Sequence, residues 1–182
     1  MNLPNKLTVL RILLIPVFMG FLFWGKSSLD FGVFVALIIF ILAAITDSLD
    51  GYLARKHRLV TKFGKILDPV ADKLLISAAI ISFVAMQEIS AGAAIIIIGR
   101  ELAITGLRVV AASEGIVITA SKWGKWKTKL QITTIIALIV DPEIIELPFY
   151  LPDILVWLAV AVTLYSGIDY FRHTGLDFFQ EE

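Results

Sequence analysis

The stretch Asp47-Ser-Leu-Asp50-Gly51-Tyr-Leu-Ala54-Arg55-Lys-His-Arg-Leu-Val-Thr61-Lys-Phe-Gly64-Lys-Ile-Leu-Asp68-Pro-Val-Ala-Asp72 decides how this chain is read. It holds two pairs of carboxylates, each pair at helical spacing. The first pair closes one long apolar run and the second opens another. A carboxylate at membrane depth is costly, so each of the four needs a partner or a task.

The runs on either side belong to a chain of 182 residues, of which 58% are hydrophobic. Its mean hydropathy of +0.87 lies far above that of a soluble domain. The apolar runs are continuous and of near-spanning length, which predicts a polytopic all-α membrane protein rather than a barrel with alternating strands. Cysteine is absent, which excludes a disulfide framework and a thiolate site. The N-terminus is not expected to be a cleavable signal, because Arg11 sits in the approach to the first apolar run and no small-residue cleavage site follows.

Six spans are predicted: Leu7–Trp24, Phe31–Arg55, Gly64–Met86, Ser90–Ala111, Lys125–Val140 and Pro152–Arg172. Residues 3–11 are amphipathic and are expected to form a short interfacial segment before the first span. Residues 112–124 make the longest connection. No internal repeat or low-complexity tract divides the chain, so residues 1–182 are read as a single membrane domain. In this six-span frame Lys6, Arg55, Lys56, Arg58, Lys62, Lys65, Arg108, Lys122, Lys125, Lys127, Lys129 and Arg172 fall on one side, and Lys26 falls in a loop on the other. The positive-inside rule then places both termini and the basic loops in the cytoplasm. A five-span frame would scatter these charges.

On the second predicted helix, Asp47, Asp50, Gly51 and Ala54 share one face. Gly64, Asp68 and Asp72 form a stripe on the next. The short link between these helices predicts antiparallel neighbours on which the four carboxylates converge. Asp47 lies about 12 Å along the helix from Arg55, so the cluster is recessed but still near the cytoplasmic side. Converging carboxylates need a counter-charge. With oxygen donors and neither histidine nor cysteine in the pattern, the cluster suits a hard cation, Mg²⁺ or Mn²⁺. Two such ions can bridge the oxygens of a pyrophosphate. Gly51 and Gly64 leave room for a bulky ligand near the backbone, and Arg55 can pair with a phosphate. A second reading makes Asp68 an N-cap with Pro69 at the first helical position. That would start the helix at 69 and remove Gly64 from the stripe.

The pattern D-x-x-D-G-x-x-A-R, eight residues, then G-x-x-x-D-x-x-x-D, resembles the signature of the CDP-alcohol phosphatidyltransferase family. Asp47, Asp50, Gly51, Ala54, Arg55, Gly64, Asp68 and Asp72 fill every fixed position. The resemblance implies a six-span fold and a dinuclear metal centre on Asp47, Asp50, Asp68 and Asp72, with Asp72 also the general base. It implies CDP-lipid contacts from Asn5 through Thr8 and from Gly51, Arg55, Thr61 and Gly64. It also implies that the third helix starts before Gly64 and that the protein is a homodimer. Within the family, the chain is similar to the subgroup whose acceptor is sn-glycerol 3-phosphate. That likeness rests on Asn5-Lys-Leu-Thr8-Val-Leu-Arg11, Arg100-Glu-Leu-Ala-Ile-Thr105-Gly-Leu-Arg108 and Gly124-Lys-Trp-Lys127-Thr128-Lys-Leu-Gln131. The implied reaction moves the phosphatidyl group of CDP-diacylglycerol to the acceptor's 1-hydroxyl, giving phosphatidylglycerophosphate and CMP. The implied partners are those two substrates and membrane lipids, not nucleic acid.

An acceptor phosphate needs cations, and Arg108, Arg100 and Lys127 are the candidates. Arg100 and Arg108 are eight apart, near one face of the fourth helix. Arg100 has an equally weighted structural reading as a salt-bridge partner, with Glu101 able to serve an arginine. Most of the charge between Lys122 and Lys129 reads as a solvated loop facing anionic lipid. His57 reads as solvent-exposed, and the four tryptophans read as interfacial anchors or packing groups. Gly92, Gly99 and Gly106 recur every seven residues and suit close helix packing, a dimer contact included. Two other functions remain open on the residues. One is the same chemistry with inositol phosphate or serine as acceptor; the other is a divalent-cation transporter. Transport suits acids spread through the membrane in paired repeats, which this chain lacks.

Overall fold

The computed structural model describes residues 3–28, 30–56, 62–113, 122–140 and 151–172. These form six helices: α1 Leu3–Ser28, α2 Asp30–Lys56, α3 Lys62–Ala85, α4 Ala91–Ser113, α5 Lys122–Val140 and α6 Leu151–Tyr170. Each of the six predicted spans is a helix.

The opening segment differs from expectation. Residues 3–11 are not a separate element, because α1 runs unbroken through Pro16 to Ser28. Its buried face explains the continuity. Asn5, Thr8, Arg11, Ile15, Phe18 and Leu22 are all buried and follow one another at three- or four-residue steps. A single stripe thus spans the whole helix and gives the chain no reason to turn after Arg11.

The gap between α1 and α2 is shorter than the predicted span ends, Trp24 and Phe31, imply. Ser28 ends one helix and Asp30 starts the next. Two glycines make this possible. A methyl added at Gly32 would lie 2.6 Å from the Gly25 Cα, so the two backbones are in direct contact. At the same end Lys26 pairs with Glu88, 3.2 Å away, which fastens the α1–α2 turn to the α3–α4 turn.

The α3–α4 turn closes with a Schellman pattern. Gln87 N–H donates to the Val84 carbonyl at 3.0 Å and Glu88 N–H to the Phe83 carbonyl at 2.9 Å. Gln87 takes the left-handed conformation, φ 64°, that glycine usually supplies. Ser90 then caps α4, its Oγ accepting from the Ala93 N–H at 3.2 Å.

α3 begins at Lys62, two residues before Gly64, so Pro69 lies inside it. This removes the reading in which Asp68 is an N-cap, and keeps Gly64, Asp68 and Asp72 on one helix. α2 and α3 touch, but each packs more extensively against α1 than against the other. The two helices that carry the aspartate signature are thus neighbours flanked by a third helix. α4 and α5 both pack on α6.

The bundle has an apolar core, yet its outer surface is apolar too, and several polar groups lie inside. Leu13, Phe31, Ile81, Ile95, Trp126 and Trp157, one from each helix, are exposed. Asn5, Thr8, Arg11, Glu101, Lys127, Gln131 and Ser166 are buried. α1 and α6 carry stretches, Asn5–Lys26 and Leu151–Tyr170, that are long and apolar enough to cross a membrane.

Candidate functional site

The described part of the site is a chain of charges that runs from α3 through α4 to α5 and α6. It starts at Asp72, a partly exposed carboxylate on α3 whose Oδ2 accepts from the Lys73 ammonium at 2.6 Å. The same ammonium lies 3.1 Å from Oε2 of Glu101 on α4. The other oxygen of Glu101 pairs with the Lys127 ammonium on α5 and stands 3.9 Å from Nη1 of Arg100. Glu101 is 5% exposed and Lys127 3%. Three helices therefore meet on one buried carboxylate.

Arg100 leans toward α6. Its Nη2 donates to the Ser166 Oγ at 2.7 Å and to the Ser166 carbonyl at 3.3 Å. Gly167 lies beside it, where an added methyl would stand 3.4 Å from the Arg100 Cγ, an ordinary contact distance. The structural reading of Arg100 as a partner for neighbouring groups is thus directly visible. Arg108 sits over the ring of Tyr170, its guanidinium carbon 5.4 Å from the centroid. Further along α6, the Gln131 amide donates to Thr163 Oγ1 at 3.5 Å. Thr134 donates to its own helix at Leu130 and also to the Leu155 carbonyl. α6 thus offers one polar partner after another to α4 and α5.

The structure joins Asp72, Arg100 and Lys127 in this network and sets Arg108 near it on the same helix as Arg100. Lys127, a candidate cation in a stretch whose charge was otherwise read as mostly solvated, is buried. α5 begins at Lys122, so helical geometry turns Lys127 inward. Lys125, Trp126 and Lys129 stay exposed, with Lys129 5.6 Å from the Trp126 ring. Trp123 packs edge-on against Tyr165, 4.7 Å between centroids. Asn5 and Thr8 are buried on α1, 6% and 0% exposed, beside Arg11 at 1%. Lys73 was not anticipated as a site residue, and Glu101 only as a possible partner for an arginine. The signal for both was a charge inside a spanning run.

Backbone geometry puts Asp47, Asp50, Gly51 and Arg55 in the last turns of α2, and Gly64 and Asp68 in the first half of α3. Their side chains lie outside the described ones, and Thr61 lies outside the described residues. Among the described side chains, no three acidic or histidine groups gather at one point. The donor set of the signature contains only carboxylate oxygens, from two helices that touch. That composition fits a hard divalent cation and does not fit a soft one.

The family model for CDP-alcohol phosphatidyltransferase matches residues 1–165. The CDP-diacylglycerol--glycerol-3-phosphate 3-phosphatidyltransferase of Bacillus subtilis (strain 168) is 46% identical, over 93% of this chain and 93% of its own length. The protein of the same name from Rickettsia typhi is 38% identical, over 94% of this chain and 96% of that one. Another, from Mycoplasma pneumoniae, is 39% identical over 74% of this chain and 66% of its own. A match to the family model over nine-tenths of the chain, with the aspartate signature complete inside it, makes this chain a member of the CDP-alcohol phosphatidyltransferase family.

Proposed function

We propose that this chain transfers the phosphatidyl group of CDP-diacylglycerol to the 1-hydroxyl of sn-glycerol 3-phosphate, giving phosphatidylglycerophosphate and CMP. Similarity to glycerol-3-phosphate phosphatidyltransferases over more than nine-tenths of the chain is the observation that carries this reading.

In this reading Asp47, Asp50, Asp68 and Asp72 hold Mg²⁺ or Mn²⁺, two ions on the pattern of the family. When bound, such ions neutralise pyrophosphate charge and ease departure of CMP. Asn5, Thr8, Gly51, Arg55, Thr61 and Gly64 contact the CDP-lipid. Asp72 accepts the proton of the glycerol 1-hydroxyl. The freed oxygen forms a bond to the β-phosphorus, which carries the diacylglycerol. The bond from that phosphorus to the bridging oxygen breaks, and CMP leaves with the electron pair.

Arg108, Arg100 and Lys127 supply positive charge for the acceptor's phosphate. Lys73 joins them through Glu101, the carboxylate it shares with Lys127. The large apolar side chains exposed on all six helices support six membrane spans forming one domain over residues 1–182. The sorting of lysine and arginine supports a cytoplasmic active site and cytoplasmic termini. The exposed glycines of α4 support a homodimer.

The test is CMP release from CDP-diacylglycerol in detergent micelles. Chelation should abolish it and added Mg²⁺ should restore it. Asp72→Asn should lower kcat by about 10²- to 10⁴-fold. Near-normal turnover by that variant would remove Asp72 as the base.

A further inference from the structure

We propose that Glu101 is a positioning residue: it holds Lys127 and Lys73 on one buried carboxylate and so fixes the acceptor-phosphate cation relative to Asp72. The inference rests on the activity proposed above and adds to it a residue that the aspartate signature does not contain.

Glu101 contacts one lysine with each oxygen. Lys127 Nζ pairs with Oε1, and Lys73 Nζ lies 3.1 Å from Oε2. Lys73 in turn lies 2.6 Å from Asp72. The path from α5 to the carboxylate on α3 thus passes through α4 at a single side chain. Burial makes the link strict. The side chains of Glu101 and Lys127 are 7% and 3% exposed, so solvent cannot replace either partner. An ammonium as buried as Lys127 needs a nearby anion to hold its place. The Glu101 carboxylate is that anion. Its remaining neighbour, Arg100, is drawn off by Ser166 and stands 3.9 Å away. Glu101 is placed to act through the lysines, with no contact to the reacting atoms required.

Removing the charge at constant shape should therefore affect the acceptor selectively. With Glu101→Gln, Lys127 loses its anion, and the KM for glycerol 3-phosphate should rise about tenfold or more. The KM for CDP-diacylglycerol should stay within about twofold, because that substrate is held elsewhere. A purely structural role would lower the yield and melting temperature and leave both KM values in proportion. Glu101→Asp keeps the charge but shortens the reach by one methylene, and should give an intermediate KM for glycerol 3-phosphate. It also serves if Glu101→Gln does not fold. In a double-mutant cycle, Glu101→Gln added to Lys127→Gln should raise that KM by less than about twofold beyond Lys127→Gln alone.

Multiplicative effects in the cycle, an unchanged or lowered acceptor KM in Glu101→Gln, or a Glu101→Asp protein equal to wild type would each overturn the assignment. Wild-type enzyme that releases no CMP with glycerol 3-phosphate would instead overturn the activity on which the inference rests. The two failures are separable in the same assay.

Discussion

At the scale of single residues, the site divides into cations that are committed and cations that are poised. Arg100 is committed, with Ser166 holding its guanidinium against α6. Arg108 lies over the face of Tyr170, a weaker restraint than hydrogen bonds and one that a phosphate can displace. Charge reversal at Arg108 should therefore raise the KM for glycerol 3-phosphate by about tenfold or more and leave that for the CDP-lipid nearly unchanged. Steady-state kinetics with each substrate varied in turn checks this, and equal effects on both would remove Arg108 from the acceptor pocket. The candidate cations were legible in the sequence because charges inside apolar runs stand out. The role of Glu101 was not. Arg100 and Glu101 are adjacent, about 100° apart on a helix, and periodicity alone does not say which turns inward. Packing decides it: Glu101 is buried against α3 and α5 while Arg100 reaches for α6. Lys127 was among the candidate cations, but its burial was not legible while the helix was expected to begin at Lys125 rather than Lys122.

At the scale of elements, all six helices were legible from length and hydropathy, and their ends were less so. α1 was expected to stop at Trp24, yet it continues to Ser28 because Gly25 and Gly32 let α1 and α2 meet at backbone distance. A methyl at Gly25 would collide with the backbone nitrogen of Val33 and come within 2.6 Å of the Gly32 carbonyl carbon. Gly25→Ala should thus cost about 1–3 kcal/mol and lower the melting temperature in detergent. Gly20 sits on the same helix with nothing within 4 Å of an added methyl. Gly20→Ala should leave the melting temperature unchanged or raise it slightly, because alanine favours helix. A Gly25→Ala protein as stable as Gly20→Ala would contradict the close approach. The arrangement of α2 and α3 shows the limit of connectivity as a guide. A short link makes two helices neighbours, but it does not reveal that α1 will take the larger share of both.

At the scale of the whole molecule, the apolar outer surface organises the rest. Apolar side chains cover the outside and a network of charges and amides fills one end of the inside. Water would favour the reverse, whereas lipid favours this distribution. The stripe Gly92, Gly99 and Gly106 adds a second surface. The periodicity suggested close packing, but within one chain an added methyl at any of the three meets nothing within 4 Å. The stripe therefore faces away from the chain's own helices, where a second copy can approach. In the proposed homodimer, Gly99→Leu should leave the stability of the single subunit within about 1 kcal/mol of wild type and shift the population from dimer toward monomer. Mass measurement of the detergent-solubilised protein reads that shift, and an unchanged dimer fraction would place the contact elsewhere.

The measurement that tests the central claim most directly is an acceptor panel with CDP-diacylglycerol labelled in its diacylglycerol moiety. Glycerol 3-phosphate, inositol phosphate, serine and buffer alone are compared in the presence of Mg²⁺. We expect labelled phosphatidylglycerophosphate and one equivalent of CMP with glycerol 3-phosphate, and only background transfer with the others. Transfer to inositol phosphate or serine at an equal or greater rate, or no transfer to glycerol 3-phosphate, would contradict the assignment.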